Sequence, residues 1–436
     1  MKKMHLLIAV ALFAALAVPA AVSAQLTYNS GFQVQNLATT DANIQIDFYW
    51  QDGTLEASVS DTVAAGGSNT YFPLADVPSG FNGSVVISSD QDIRAIANVL
   101  ANGINYGASY SGFTGGQTTV YAPLLMYENA GFNTWFNVQN AGSAATTVNV
   151  TYDDGVTNNC NIEPGAACTF DQTTEGHAAG WVGSAVVTAG EPIVLAGMEV
   201  GAATLFGYSG FSAGTPALDI PLVNENNSGY ITGVQIQNQG AADTDVTLHY
   251  EPVSGLGTAC DETLTVPAGE SATFALYAFT GAELPSDDCT SGALFVGSAT
   301  VTANTGGENL VAIVNQLNLG ANQGSAYEGF ADGSGSASVV MPLIMDRNGG
   351  YYTGFNVLNV GTANATVACT FSGTSYTVGG TIAPGEAMND IQSGKIAEGY
   401  VGSAVCTSDG EPIVAVVNEV GGAGYDSFLT YSAFNQ

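Results

Sequence analysis

The sequence predicts an all-β protein: four tandem immunoglobulin-like antiparallel β-sandwich domains that follow a signal peptide. Three observations lead to this fold class. One motif of alternating apolar and polar residues recurs four times, and further landmarks recur in the same order after each copy. Gly, Pro, Asn and Asp stand at the joins between apolar runs, and helical periodicity is missing outside the first residues. Alternation with period two is typical of half-buried strands, and a repeat of this length marks a repeated structural unit.

The recurring motif predicts one core strand that ends in a turn. Its copies occupy residues 31–36, 135–140, 233–238 and 352–361. Each copy reaches an asparagine and then small residues, and the four asparagines are Asn36, Asn140, Asn238 and Asn359. An Asn side chain can hydrogen-bond the turning backbone two residues on. We therefore expect this asparagine to end the strand and begin the turn.

Later landmarks set the size of each unit. A strand that starts with Gly-Ser begins at Gly83, Gly183, Gly297 and Gly402. An aromatic pair closes each unit, as Tyr110/Phe113, Tyr208/Phe211, Tyr327/Phe330 and Tyr431/Phe434. About seven strands fit in each unit, which is the size of an immunoglobulin-like sandwich. The predicted domains are residues 25–118, 119–216, 217–337 and 338–436, called units one to four below.

Unit one is predicted to lack its first strand. Units two to four open with a Pro-Leu strand at Pro123, Pro221 and Pro342, called the lead-in strand below. The corresponding segment of unit one falls within the first 24 residues. One hypothesis is an open slot that accepts a strand from a partner. The alternative is a shorter first sandwich.

The N-terminus has the pattern of a secretory signal peptide. Lys2 and Lys3 precede an apolar run over residues 6–18, and a small-x-small sequence ends at Ala24. This order predicts removal of residues 1–24. The alternative, a membrane anchor, requires a longer apolar run. We therefore expect a secreted or extracellular cell-surface protein without membrane insertion after cleavage.

The charge balance is strongly acidic. The formal net charge is −33, and beyond residue 24 the basic residues are Arg94, Arg347 and Lys395. Nucleic acids and anionic lipids need basic patches, so the composition argues against both as partners. Three explanations of the acidity stay open: calcium binding, an acidic or saline habitat, and ordinary solubility.

The six cysteines fall in pairs within units two, three and four. Export makes oxidation plausible, and the distribution favours pairing inside each unit. A zinc site is the alternative, but CxxC spacing is missing. The cysteines are Cys160, Cys168, Cys260, Cys289, Cys369 and Cys406.

Oxygen-rich turns are weak candidates for calcium sites. Their spacing does not match an EF-hand loop. The candidate ligands are Asp90, Asp92, Asp153, Asp154, Asp409 and Glu411. We expect no other cofactor.

The sequence offers little for catalysis. His177 and His249 are the only histidines after residue 24, and a nucleophile-elbow context is missing. We therefore expect no enzymatic activity. Aromatic clusters at residues 48–50 and 135–136 are candidates for a glycan-binding platform, although alternation places part of each cluster in the core.

The pattern V-x-N-x-G, then an alternating strand, then G-S-A-V-x-T and P-I-V-A-V-V-N, resembles the immunoglobulin-like repeats of secreted bacterial surface proteins, in the style of CARDB (cell-adhesion-related) modules. The Cys…Trp…Cys spacing of antibody domains is missing, since no Trp lies between Cys369 and Cys406. The resemblance implies a structural or adhesive role, as in a sheath, surface layer or extracellular fibre. It implies contacts with itself or other surface proteins through strand edges or end to end. The alternatives are a soluble extracellular carbohydrate- or protein-binding module and an accessory chain of an enzyme.

Overall fold

The chain is described here by a computed structural model. It describes residues 27–101, 106–253, 255–274, 289–290, 292–318, 320–421 and 426–436. The predicted signal peptide lies outside these residues. Within them the regular structure is antiparallel β-sheet apart from one four-residue helix, which confirms the all-β prediction. No described helix is long and apolar enough to cross a membrane.

Unit one contributes two sheets. Its strands are β1 (Tyr28–Asn36), β2 (Ala42–Trp50), β3 (Leu55–Val63), β4 (Ser68–Tyr71), β5 (Gly83–Ser89), β6 (Ile93–Ala101) and β7 (Tyr106–Ser111). One sheet has the order β4-β1-β6-β7 and the other the order β3-β2-β5. Strand β5 therefore pairs with β2 alone among the described strands.

Unit two is built around one long strand. Its elements are β8 (Gln117–Tyr127), β9 (Asn133–Asn140), β10 (Thr146–Tyr152), β11 (Thr157–Ile162), β12 (Ala167–Asp171), α1 (Gln172–Glu175), β13 (Trp181–Val200) and β14 (Leu205–Ser209). The first half of β13 pairs with β8 and β10, and its second half pairs with β9 and β14. The strand thus passes from one layer of the sandwich to the other.

Units three and four each form two separate sheets. The strands of unit three are β15 (Ala217–Glu225), β16 (Ile231–Asn238), β17 (Thr244–Pro252), β18 (Cys260–Val266), β19 (Ser271–Phe274), β20 (Phe295–Ala303), β21 (Leu310–Asn318), β22 (Gln323–Glu328) and β23 (Phe330–Ala331). Those of unit four are β24 (Ser338–Asp346), β25 (Tyr352–Asn359), β26 (Ala365–Phe371), β27 (Thr377–Ile382), β28 (Ala387–Ile391), β29 (Tyr400–Thr407), β30 (Ile413–Val420), β31 (Phe428–Ser432) and β32 (Phe434–Asn435). The sheet orders correspond: β18-β17-β20-β15-β23 with β19-β16-β21-β22, and β27-β26-β29-β24-β32 with β28-β25-β30-β31.

Alternation along the strands decides which side chains form the core. In β10, Val148, Val150 and Tyr152 are buried, while Asn149 and Thr151 between them are exposed. Each large apolar side chain buried in this way stabilises the fold by about 1.5–3 kcal/mol before entropic costs. The same pattern produces four large buried clusters, each made mainly of residues from one unit.

The motif asparagine takes the predicted position in all four units. Asn140 is buried, and its Oδ1 accepts a hydrogen bond from the backbone N–H of Gly142 at 2.9 Å. Its Nδ2 donates to the carbonyls of Ala144 and Ile162 at 2.8 and 3.3 Å. Asn36, Asn238 and Asn359 make the equivalent bonds. The prediction that this residue ends the strand and starts the turn is confirmed.

Candidate functional site: the junction of the four units

The strand that carries the tyrosine of the closing aromatic pair is called the closing strand of its unit. The four closing strands are β7, β14, β22 and β31, and they meet at one place. Strand β7 contacts β14 and β31, and β22 contacts the same two strands. Unit four therefore touches unit one as well as unit three, and the four repeats close on themselves.

Small residues let the closing strands approach closely. A Cβ atom added to Gly324 of β22 would come within 2.0 Å of the Phe206 ring of β14. A Cβ added to Gly107 of β7 would come within 2.9 Å of Leu429 of β31. A side chain at position 324 would therefore collide with the Phe206 ring, and one at position 107 would require Leu429 to move.

Apolar side chains carry each unit into the core of the one before it. Ile313 of unit three belongs to the buried cluster of unit two, and Val416 of unit four to that of unit three. Ile96 of unit one lies in the cluster of unit four. These three side chains occupy equivalent places on β21, β30 and β6.

Beside these apolar contacts the junction is polar. Glu419 of β30 accepts hydrogen bonds from Nδ2 of Asn98 at 3.0 Å and from Oγ of Ser109 at 3.2 Å, both in unit one. Gln316 of β21 donates to Oδ1 of Asn418 in unit four at 3.2 Å. Both pairs link consecutive units around the ring with an amide on at least one side.

The other two junctions use the same positions. Oε2 of Glu199 in unit two accepts a hydrogen bond from Nδ2 of Asn315 in unit three at 2.7 Å. Between units one and two, Val99 and Met198 take the corresponding places and share an apolar cluster. At each junction polar side chains therefore meet polar side chains, or apolar side chains meet apolar ones.

Burial changes the acidity of the junction carboxyl groups. Glu199 is fully buried, and loss of solvation raises its pKa to about 8. Burial likewise raises the pKa of Glu419 to about 7, against the opposing effect of its bonds from Asn98 and Ser109. Among the described residues, neither Oε1 of Glu199 nor Oδ1 of Asn315 has a hydrogen-bond partner. A protonated carboxyl supplies the donor that two such acceptor oxygens lack.

Asp426 of unit four also contributes to the junction. Its carboxylate accepts hydrogen bonds from the backbone N–H groups of Leu205 and Gly324, at 2.6 and 2.9 Å. Tyr106 of unit one forms a β-bridge with it. Burial raises the pKa of Asp426 to about 8. The side chain of Asp426 thus bonds to units two and three, and its backbone pairs with unit one.

Glu328 makes a second link across the units. It accepts hydrogen bonds from the backbone N–H of Ser209 in unit two at 2.5 Å and from Oγ of Ser432 in unit four at 2.9 Å. Together with Asp426 it ties the closing strands at two levels. The arrangement is suited to holding the units together, and burial of Glu199, Glu419 and Asp426 makes these contacts depend on the protonation of those three carboxyl groups.

The sequence motifs did not indicate this junction. The sequence does mark it, because Glu199, Gln316 and Glu419 occupy equivalent positions in strands that are otherwise largely apolar. Asn98, Asn315 and Asn418 add amides at the preceding position. Buried polar residues at a recurring strand position indicate contact with a partner surface rather than with solvent.

The candidate calcium ligands lie apart from this junction, and each bonds a backbone N–H group or a basic side chain of the protein. Asp90 accepts from the backbone N–H of Asn43 at 2.8 Å, and this residue's side-chain and backbone bonds lower the pKa of Asp90. Asp92 pairs with Arg94 at 2.5 Å. The two carboxylates thus have protein partners on opposite sides of one turn.

The four remaining candidates fall in two places. Asp153 accepts from the N–H of Ser184 at 2.7 Å, and Asp154 bonds Nδ1 of His177 at 2.8 Å. Asp409 accepts from the N–H of Thr366 at 2.9 Å, and Glu411 from that of Thr362 at 3.0 Å. Across the described ranges, no three His, Cys, Asp or Glu side chains converge in a metal-binding group.

All six cysteines form disulfides within their own units. The pairs are Cys160–Cys168, Cys260–Cys289 and Cys369–Cys406. The predicted pairing inside each unit is confirmed.

The histidines have structural partners. The ring of His177 stacks on Trp181 with centroids 3.7 Å apart, and its Nε2 contacts Oε1 of Gln172 at 2.9 Å. His249 lies on the exposed face of β17, where its Nδ1 pairs with Asp261 at 2.7 Å. Among the described residues, the hydrogen-bond partners of the two histidines are carboxyl and amide side chains.

The aromatic clusters are largely used for packing. Phe48 is buried, and Trp50 packs against Phe81 with centroids 5.0 Å apart. Phe136 stacks on Phe170 at 5.2 Å in the core of unit two. Tyr49 covers Gly165 of unit two. The faces of these rings are occupied by the protein itself.

Comparison with known proteins gives little. No protein-family model and no curated protein matches the chain. Among the solved structures that match the chain, one is 14% identical over 94% of this chain and 96% of the other, with a TM-score of 0.12. It is described as the crystal structure of a tetra-tandem repeat in the extending region of a large adhesion protein. A TM-score this low carries no argument about fold or role.

Proposed function

We propose that this chain is an exported cell-surface protein with a structural or adhesive role, a subunit of a sheath, surface layer or extracellular fibre. In this proposal it consists of four immunoglobulin-like sandwiches and has no catalytic activity. The observation that carries the proposal is the closed junction. It joins four repeats into one body through buried side chains of every unit.

The chemistry of the chain supports a role outside the cell. Disulfides persist in oxidising compartments and are rare in the cytosol of most organisms. Three are present, one in each of units two to four. Beyond residue 24 only Arg94, Arg347 and Lys395 offer cleavage sites to trypsin-like proteases. A long-lived surface component benefits from both properties.

The proposal needs no metal ion. The acidic candidates act as hydrogen-bond acceptors that fix turns, as Glu411 does for Thr362 and Ala363. Backbone N–H groups of turns need such acceptors when strands end nearby. Calcium remains an additional ligand to be tested by titration rather than part of the role.

Immunogold electron microscopy of intact cells tests the proposal, combined with sequencing of the N-terminus of the extracellular protein. We expect label on ordered fibres, sheaths or lattices, and a chain that begins at Gln25. A chain that keeps residues 1–24 inside the cell would overturn the proposed export. A freely diffusing monomer that binds glycans on an array would favour the alternative, a soluble carbohydrate-binding module.

A further inference from the structure

The edge of unit one is open where the other units are closed. In units two to four a lead-in strand (β8, β15 or β24) pairs with the strand that begins Gly-Ser. Strand β5 is the Gly-Ser strand of unit one, and its second edge has no partner among the described strands. An unpaired edge presents free N–H and C=O groups that can take another strand.

Apolar side chains of β5 beside this open edge are partly exposed. Val85 and Ile87 of β5 are partly exposed to solvent. Their equivalents in unit three, Ala299 and Val301, are 2% and 0% exposed beneath β15. The two side chains of β5 are more exposed because none of the described strands covers them. Residues at the same strand positions are buried in every unit in which a lead-in strand is present.

In units two to four a tyrosine hydroxyl also holds the lead-in strand in place. Tyr208 donates its hydroxyl to the carbonyl of Leu124 in β8 at 2.8 Å, and Tyr431 to that of Leu343 in β24 at 2.6 Å. Tyr327 does the same with Leu222 at 2.5 Å. The acceptor follows the proline at which each lead-in strand shifts register.

Tyr110 holds the same place on β7 of unit one. No described residue supplies the carbonyl that would receive its hydroxyl. Tyr110 is partly buried, and a buried phenol hydroxyl normally finds a partner. The anchor of the lead-in strand is therefore present in unit one, while none of the described strands occupies the position beside it.

The junction with unit two is looser on the same side. Each lead-in strand is held between its own unit and the next, since β8 contacts β16 and β21, and β24 contacts β1 and β6. Facing these strands, Ile313 and Ile96 are 0% and 1% exposed. Ala196 of β13 takes that place opposite unit one, and it is partly exposed.

The sequence shows which segment would complete the pattern. Pro123 precedes Asn140 by 17 residues, and the same spacing recurs from Pro221 to Asn238 and from Pro342 to Asn359. Seventeen residues before Asn36 stands Pro19. The segment that corresponds to the lead-in strand thus lies inside the predicted signal peptide, and its removal leaves the slot open.

We propose that the processed chain takes an extended segment of another protein into this slot, antiparallel to β5, in the place that the lead-in strands hold in units two to four. The proposal rests on the export and cleavage in the proposed function. The three complete units specify the occupant: apolar residues on both sides of a proline, with the carbonyl after the proline bound by Tyr110. A second copy of this chain has no such segment to give among its described residues, because β8, β15 and β24 are already paired.

Binding of a labelled peptide of residues 338–347 to purified residues 25–436 tests the proposal. We expect one peptide per chain and slower hydrogen exchange at the β5 amides on binding. A peptide of residues 13–22 should compete for the same place. A scrambled peptide of identical composition should not bind.

Variants locate the binding site. Tyr110→Phe should weaken binding about five- to tenfold, the effect of one lost hydrogen bond, and Ile87→Asp should abolish it. Tyr327→Phe is the matched control, because its slot is filled by β15, and binding should be unchanged. Circular dichroism identifies variants that fail to fold.

Three outcomes would overturn the proposal: no peptide binding, equal weakening by Tyr110→Phe and Tyr327→Phe, or a purified chain that is already dimeric with protected β5 amides. The last would show that a second copy fills the slot. Loss of peptide binding alongside ordered surface arrays would sink only this inference, whereas binding by a chain that is never exported would sink only the proposed function.

Discussion

At the scale of single residues, the junction depends on carboxyl groups that are easier to bury when protonated. Glu199, Glu419 and Asp426 all have raised pKa values because burial removes their solvation. These raised pKa values offer a physical explanation of the acidic composition. A chain with few cations and protonated buried acids is suited to an acidic medium, one of the three explanations that the sequence left open.

Replacing Glu199 with Gln tests this dependence. The folded chain keeps a proton on Glu199 up to about pH 8, while an unfolded chain loses it near the ordinary value of 4.5. Stability is therefore full below that window and falls as the pH rises through it. We expect Glu199→Gln to be more stable than the wild type at pH 9 by roughly 2–4 kcal/mol, and similar to it at pH 5.

Urea denaturation at the two pH values measures the effect. Glu398→Gln is the control, since Glu398 is exposed and its change should leave the pH profile as it is. A Glu199→Gln variant that follows the wild-type curve at every pH would show that folding does not raise the pKa of Glu199.

At the scale of elements, the recurring pattern predicted more than the individual strands. The motif asparagine and its turn follow from side-chain chemistry within a few residues, so the sequence was sufficient. Strand β13 was not predictable in this way. Residues 183–188 and 193–196 read as two strands, yet Trp181–Val200 is one strand that changes layer. The strand is continuous because other strands pair with both of its halves. Those pairing partners cannot be identified from the local sequence.

The disulfides provide a prediction about elements, because their loops differ in length. Cys369–Cys406 closes 37 residues between paired strands β26 and β29, whereas Cys160–Cys168 closes 8. Chain entropy assigns about 4 kcal/mol to the long loop and about 2.5 kcal/mol to the short one. Replacing both cysteines of a pair with Ala should therefore cost more for Cys369/Cys406.

Guanidinium denaturation of the two double variants measures the difference, and each serves as the control for the other. The buried position of Cys369 and Cys406 adds a packing loss in the same direction. An equal or larger loss for Cys160/Cys168 would show that loop length does not set the contribution of these bonds.

At the scale of the whole molecule, the sequence predicted four similar units in a row but not their closure. The residues that close it, such as Ile96 and Glu419, lie on strands already assigned to the core of their own unit. Which outward side chain meets which neighbour depends on the angle between sandwiches. That angle is set by contacts distant in sequence, so periodicity cannot reveal it.

Closure predicts the size of the molecule in solution. A compact chain of this length has a radius of gyration of about 22 Å, and small-angle X-ray scattering of residues 25–436 should give a value close to it. Four sandwiches in a line would give a much larger value and would contradict the closed arrangement.

Ile96→Asp places a charge from unit one in the core of unit four and should increase the radius or favour unfolding of unit four. Val86→Asp, at a side chain 37% exposed on β5, should leave the radius unchanged, because no junction depends on it.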